Sequence, residues 1–383
     1  MAENFTSLPI IDFRDALCPE TKPRFLSALR HALVKVGFLY LKNPPIQAEV
    51  QKELVRTTGS FFHLPTRTKQ EMKMANSKHF RGYTGLGIEK TATKADERET
   101  YWVGFESPAT DPDQPIWYNL LGPNQWPTKA DAPGFRESIE TYLEEVQHLA
   151  TDFTALVAEA LDLEPMAFNK LFQDPPTSGL KIAAYPAPPN ALQDSQIEFQ
   201  GVGPHKDGSF LTYLLQGTEH TGSLEVQNNS GVWIPAPSVP NTLIINIGRS
   251  LEALTQGVCV ATTHRVNLTP QQYITSENAP IGTRLTFPFF QMLSLDVKKE
   301  DLSLQMPPHI ACLRDKDVKS DAETFFASLF NRSLGEALMT NALTSHPEVG
   351  KNWYPDLLKE ALKQQEEAKR QDDARLNGNG SGH

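Results

Sequence analysis

Between Leu180 and Gln291 the chain has no room for long helices. Short β-branched and aromatic runs follow one another, each cut off by Gly, Pro or Asn. They are Phe210–Leu215, Ser223–Gln227, Val232–Ile234, Thr242–Ile247, Val258–Thr263 and Arg284–Phe290. Runs of this length bury their apolar faces by packing one sheet on another, which predicts a sandwich or jelly roll. The flanks have a different texture. Leu8–Asp12 predicts an opening strand, and Phe25 to Val36 keeps helical spacing until Gly37. Phe38–Leu41 predicts a second strand and Ala48–Phe62 a further helix. Phe135, Ile139, Tyr142, Leu143, Val146, Leu149, Phe153, Leu156, Val157 and Ala160 make one apolar stripe, the mark of a long helix packed on a sheet. Asn76 to Lys129 is rich in Gly, Pro and Thr and reads as loops, long enough to signal function or hidden short elements. Phe325–Phe330 and Tyr354–Arg370 predict late helices.

Inside the β-rich region lies a group of residues with metal-ligating chemistry. His205 and Asp207 stand where Gly-Val-Gly-Pro enters an apolar run. If both belong to one strand, positions i and i+2 point to the same side and can meet one ion. His264, in Ala-Thr-Thr-His-Arg-Val, is a third candidate ligand. Two imidazoles and one carboxylate on one face of an octahedral ion form the facial triad of non-haem Fe(II) oxygenases. A structural alternative exists for each residue alone: Asp207 as a turn residue bonded to backbone, His264 as a satisfied core histidine. A carboxylate beside the buried run Phe210–Leu215 would need a cation or strong donors.

Arg284 and Thr286 open another run and share a strand face. A guanidinium fork plus a hydroxyl can hold a carboxylate by charge-assisted hydrogen bonds. One end of a dicarboxylate would then chelate the metal while the other meets Arg284. The alternative is a strand-edge Arg paired with a surface acid. Tyr185, before Pro186, is a candidate third donor and equally a packing aromatic.

Bulk composition narrows the partners. The formal charge is −10, with 36 Lys and Arg against 46 Asp and Glu and no basic cluster. Neither nucleic acid nor an anionic membrane is therefore expected as a partner. Cys18, Cys259 and Cys312 are an odd set without CxxC spacing, which points to a reducing compartment. With no signal-peptide pattern at Met1-Ala-Glu-Asn-Phe and no run of roughly 20 apolar residues, a cytoplasmic location is expected.

Together these residues resemble the Fe(II)/2-oxoglutarate-dependent dioxygenases of the isopenicillin N synthase-like branch, fungal natural-product members above all. Leu8–Asp12 and Val36–Asn43 are similar to the family's N-terminal module, and Thr242–Gly248 and His264-Arg-Val to its core strands. The resemblance implies a mainly β fold with flanking helices: a double-stranded β-helix (jelly roll) framed by N- and C-terminal helices. It implies an N-terminal module over 1–130, and a long helix, catalytic core and C-terminal helices over 131–376. A disordered tail is expected over 377–383. It further implies Fe(II) on His205, Asp207 and His264, and 2-oxoglutarate anchored by Arg284, Thr286 and Tyr185, with O2 as the oxidant. Oxidative decarboxylation to succinate and carbon dioxide would drive hydroxylation, desaturation or ring rearrangement of a small organic molecule, in secondary metabolism. Arg81, Tyr83, Arg98 and Tyr101 are candidate substrate contacts, although packing or surface roles suit each of them too.

The chain departs from the family in places. Thr286 stands where Ser is usual and keeps the hydroxyl. Ala183-Ala184-Tyr185-Pro186 replaces Asn-Tyr-Tyr-Pro, and Asn43-Pro44-Pro45 replaces Asn-His-Gly. Retention of Asp207 disfavours a halogenase. Alternatives to the oxygenase reading are ethylene-forming fragmentation of 2-oxoglutarate, an oxidative cyclase that does without it, and a non-catalytic jelly-roll binding protein. A zinc hydrolase would need a positioned base, and no residue offers one.

Overall fold

The computed structural model describes residues 4–91, 94–187, 198–275, 277, 279–302, 304–315 and 333–378. Its strands, in chain order, are β1 (Ile10–Asp12), β2 (Phe38–Lys42), β3 (Gly82–Thr84), β4 (Lys90–Thr91), β5 (Lys94–Ala95), β6 (Glu99–Gly104) and β7 (Gly179–Tyr185). They continue as β8 (Phe199–His205), β9 (Leu211–Gln216), β10 (Leu224–Gln227), β11 (Trp233–Pro235), β12 (Thr242–Ile247), β13 (His264–Leu268) and β14 (Arg284–Gln291). An eight-stranded sheet in the order β1-β2-β12-β9-β14-β7-β6-β3 faces a four-stranded sheet in the order β11-β10-β13-β8. β1 and β2 run parallel, whereas the other strand pairs of the large sheet are antiparallel.

The two-residue period of a strand decides which side chains meet. In β12, Ile244 points between the sheets while Leu243 and Ile245 point to the helical layer. Between the sheets, Ala183, Tyr185 and Ile244 pack on Val202, Val226, Val266 and Leu268. Outside the large sheet, the helix Phe135–Ala160 presents its apolar stripe to Leu180, Tyr213 and Phe287. Each such side chain stabilises the fold by roughly 1.5–3 kcal/mol on burial. This is the jelly roll with a helical outer layer that the sequence predicts. A third, smaller core joins Met74 and Phe80 to the C-terminal helices Leu334–Ser345, Pro347–Trp353 and Pro355–Gly378.

The Asn76–Lys129 stretch holds short elements of the kind its length signals, β3 to β6, and β6 and β3 complete one edge of the large sheet. Other local expectations need correction. Val258–Thr263 is not a strand. Gln256 and Gly257 turn with φ of 53° and 78°, and Val260 N–H then bonds to the Leu33 carbonyl at 3.1 Å instead of a sheet neighbour. The first long helix ends at His31 and passes into a π-helical turn, Ala32–Val36, before Gly37 at φ 76°. Residues 325–330 and 379–383 lie outside the described residues, and Asn377 and Gly378 end a helix. No helix among the described residues is long and apolar enough to cross a membrane.

Candidate metal centre and adjoining cavity

His205 is the last residue of β8 and His264 the first of β13. The two strands are antiparallel neighbours with these residues in register, so the imidazoles lie side by side, ring centroids 4.3 Å apart. Asp207 is not on a shared strand with His205, contrary to the i, i+2 expectation. It lies in the turn between β8 and β9, which folds back so that its Oδ1 is 3.5 Å from His205 Nε2 and 3.7 Å from His264 Nε2. One ligand atom from each residue falls within 4.8 Å of the others.

Hydrogen bonds set the direction of every donor. His205 Nδ1 lies 2.8 Å from the Gly203 carbonyl and His264 Nδ1 3.2 Å from the Thr262 carbonyl. Only a protonated Nδ1 can donate to those carbonyls, which leaves each Nε2 with its lone pair facing Asp207. Asp207 divides its carboxylate: Oδ2 accepts from Thr212 Oγ1 at 2.6 Å and Asn246 Nδ2 at 2.8 Å, while Oδ1 faces the imidazoles. Burial alone would raise the Asp207 pKa. The His264 and His205 imidazoles and the Thr212 hydroxyl outweigh it and hold the carboxyl well below its usual range. Burial, with His205 beside it, pulls His264 down to about 4. With each Nδ1 turned to a backbone carbonyl, the cluster presents one carboxylate oxygen and two Nε2 atoms to a common point, the donor set of a facial triad.

β14 builds the second part. Arg284 is opposite Tyr185 of β7, and Thr286 is opposite Ala183 of β7 and Gln216 of β9. Arg284 is 2 % exposed, with its guanidinium 4.9 Å from the Tyr185 ring centroid and Nη2 donating to Gln216 Oε1 at 3.3 Å. Nη1 is buried with no partner among the described residues. A buried guanidinium with an unused donor calls for an anion, and Thr286, buried on the same strand face, offers a hydroxyl beside it. These residues fit a carboxylate, as the triad fits a divalent ion.

A cavity of about 360 Å³ begins at Gly208 and Ser209, directly after Asp207, and is walled by Arg98, Trp102, Lys181 and Phe290 among others. Of the candidate substrate contacts, Arg81 and Arg98 belong to this wall. Tyr83 and Tyr101 do not, because they point into the helical layer. Tyr101 is fully buried, 5.0 Å from the Phe61 ring, and its hydroxyl donates to the Gln125 carbonyl. Tyr83 meets Phe61 at 6.4 Å and borders a neighbouring cleft of about 530 Å³, which shares Glu89 and Lys90 with the first.

Thr212, Asn246 and Gln216 escaped the sequence reading. Asn246 had a signal, a lone amide inside Leu-Ile-Ile-Asn-Ile. Thr212 and Gln216 had none, since both suit an ordinary strand.

Residues 8–129 match the family described as the non-haem dioxygenase in morphine synthesis N-terminal region, and residues 176–292 match the 2OG-Fe(II) oxygenase superfamily. A 2-oxoglutarate-dependent dioxygenase of Gibberella zeae is 43% identical over 376 residues, covering 98% of each chain. The 2-oxoglutarate-dependent dioxygenase frbJ of Dothideomycetidae sp. is 40% identical, covering 94% of this chain and 96% of its own. Among solved structures, a full-length Neurospora crassa protein in complex with alpha-KG and 5-formyluracil has a TM-score of 0.67 at 23% identity, covering 88% of this chain and 96% of that one. The site geometry and these likenesses agree: the chain belongs to the 2-oxoglutarate- and Fe(II)-dependent dioxygenases.

Proposed function

We propose that His205, Asp207 and His264 hold Fe(II), that Arg284 and Thr286, with Tyr185 beside them, anchor the distal carboxylate of 2-oxoglutarate, and that the adjoining cavity receives a small organic substrate for oxidation. The observation that carries this reading is the split use of Asp207, with Oδ2 held by Thr212 and Asn246 and Oδ1 turned to both Nε2 atoms. When bound, iron with 2-oxoglutarate and O2 supplies the oxidising power, and succinate and carbon dioxide leave as by-products.

The chain supplies position. The Gly203 and Thr262 carbonyls fix both imidazoles, and Arg284 sets where the co-substrate ends. Trp102 and Phe290, 5.7 Å apart, line the cavity with apolar surface that excludes water from the reacting carbon. Hydroxylation is the default outcome; desaturation or ring rearrangement needs a different substrate pose. Secondary metabolism in the cytoplasm is the setting we infer, supported by the fungal relatives and the three free cysteines.

Anaerobic titration of the apo-protein with Fe(II) and 2-oxoglutarate tests the assignment without the substrate. The wild type is expected to develop a visible metal-to-ligand charge-transfer band. Arg284→Ala should need on the order of tenfold or more 2-oxoglutarate for the same band. Iron binding without a band would favour an oxidative cyclase, and no iron binding would sink the triad.

A further inference from the structure

The wall of the 360 Å³ cavity carries more positive than negative charge, in a chain whose net charge is −10. Its cations are Arg81, Lys90, Arg98 and Lys181, and its carboxylates are Glu89 and Asp96. Both acids are already engaged. Glu89 is 2.9 Å from Lys181 Nζ and 2.8 Å from Arg98 Nη2, and Asp96 is 3.2 Å from Arg98 Nη2. Asp96 also accepts from Thr91 at 2.8 Å and Gln200 at 2.9 Å. Lys90 is exposed, so water satisfies it.

Arg81 is left. It is 2 % exposed and donates one hydrogen bond, Nη2 to the Leu120 carbonyl at 3.0 Å. Its buried Nε has no partner, and no carboxylate lies within ion-pair distance among the described residues. The backbone makes room for this guanidinium. A Cβ on Gly104 would collide with all three terminal atoms of the Arg81 guanidinium, so the glycine clears its seat. Burial lowers the Arg81 pKa to about 10, and Glu106 acts on it only at a distance, so it stays charged at neutral pH. A buried cation seated in a binding cavity without a counter-ion is costly unless a ligand brings the anion.

We propose that Arg81 is the specificity residue of this cavity, selecting substrates that carry a carboxylate or comparable oxyanion. The bound anion would direct the rest of the substrate toward Gly208 and Ser209, next to the metal ligand Asp207. Arg98 does not compete for this role, because Glu89 and Asp96 neutralise it. The proposal rests on reading the cavity as the substrate chamber. Its volume falls within the range of roughly 300–1,000 Å³ typical of small-molecule sites.

The test uses matched pairs of small carboxylic acids and their methyl esters, such as phenylacetic, hexanoic and N-acetylamino acids. Binding to the full chain is measured by anaerobic calorimetry, both apo and loaded with Fe(II) and 2-oxoglutarate. At least one acid should bind on the order of tenfold or more tighter than its ester. Arg81→Gln should erase that preference and Arg81→Lys should keep part of it. The proposal is overturned if no acid outbinds its ester, or if Arg81→Gln retains the preference. It is overturned too if Arg81→Gln loses 2-oxoglutarate, which would assign Arg81 to the co-substrate. Should Arg81→Gln fail to fold, the wild-type acid-to-ester ratio and Arg81→Lys still decide. Acid preference without a charge-transfer band would sink the co-substrate assignment while leaving this one standing.

Discussion

At the proposed metal site, Asp207 shows how much rests on residues other than the candidate ligands. Its Oδ2 is held by a hydroxyl from β9 and an amide from β12, and without them the carboxylate could rotate away from the imidazoles. Such outer partners commonly contribute about 10- to 100-fold in metal affinity. Thr212→Val and Asn246→Ala should therefore each weaken Fe(II) binding by roughly that factor, measured by competition with a chromogenic chelator. Unchanged affinity in both would mean that the turn alone orients Asp207. His205, Asp207, His264 and Arg284 were legible in the sequence because their side-chain types announce their chemistry. Thr212 was not, since threonine suits any strand and its partner is known only once β9 lies beside the turn. Arg81 was named among the loop candidates, but its burial and unpaired charge come from the fold.

Strands and turns bring His205 and Asp207 together by a route other than the i, i+2 argument. His205 closes β8, and Asp207 reaches it through a turn. That turn packs so tightly on Gly248 that a Cβ there would collide with the Ser209 carbonyl. The apolar run Val258–Thr263 misled for a related reason. Its hydrophobicity serves docking onto the turn Ala32–Val36, and Thr262 Oγ1 donates to the Val36 carbonyl at 2.7 Å. Gly37 lies at this junction with φ 76°, where an added Cβ would collide with Thr262 Oγ1 and the Val260 carbonyl. Gly37→Ala should cost about 2 kcal/mol or more from backbone strain and displaced neighbours. Because the Thr262 carbonyl fixes His264, the same change should also weaken iron binding. Thermal unfolding of the apo-protein together with the chelator assay separates the two effects. A lower melting temperature with wild-type iron affinity would show that the junction supports the fold without steering the ligand.

Across the whole molecule, the large sheet does not respect the sequence boundary near residue 130. β2, from the first part of the chain, pairs with β12 over five residues, and β6 pairs with β7 over six. The strands that carry Asn246 and Tyr185 are thus interior strands only because N-terminal strands lie beside them. The outer core is shared as well, with Phe25, Leu29, Leu54 and Phe61 in one cluster with the helix Phe135–Ala160. Periodicity made the long helix and most strands readable, but it says nothing about which distant strand lies next to which. A fragment of residues 131–383 would present β12 and β7 as unpaired edges and uncover the apolar face that the N-terminal helices now shield. Exposed edges of this kind template aggregation. We expect the full chain to unfold in one calorimetric transition, and the fragment to be insoluble or to elute as an aggregate on size exclusion. A monomeric fragment with its own cooperative transition and Fe(II) binding would refute this. It would make the N-terminal strands an accessory cover for a self-sufficient barrel.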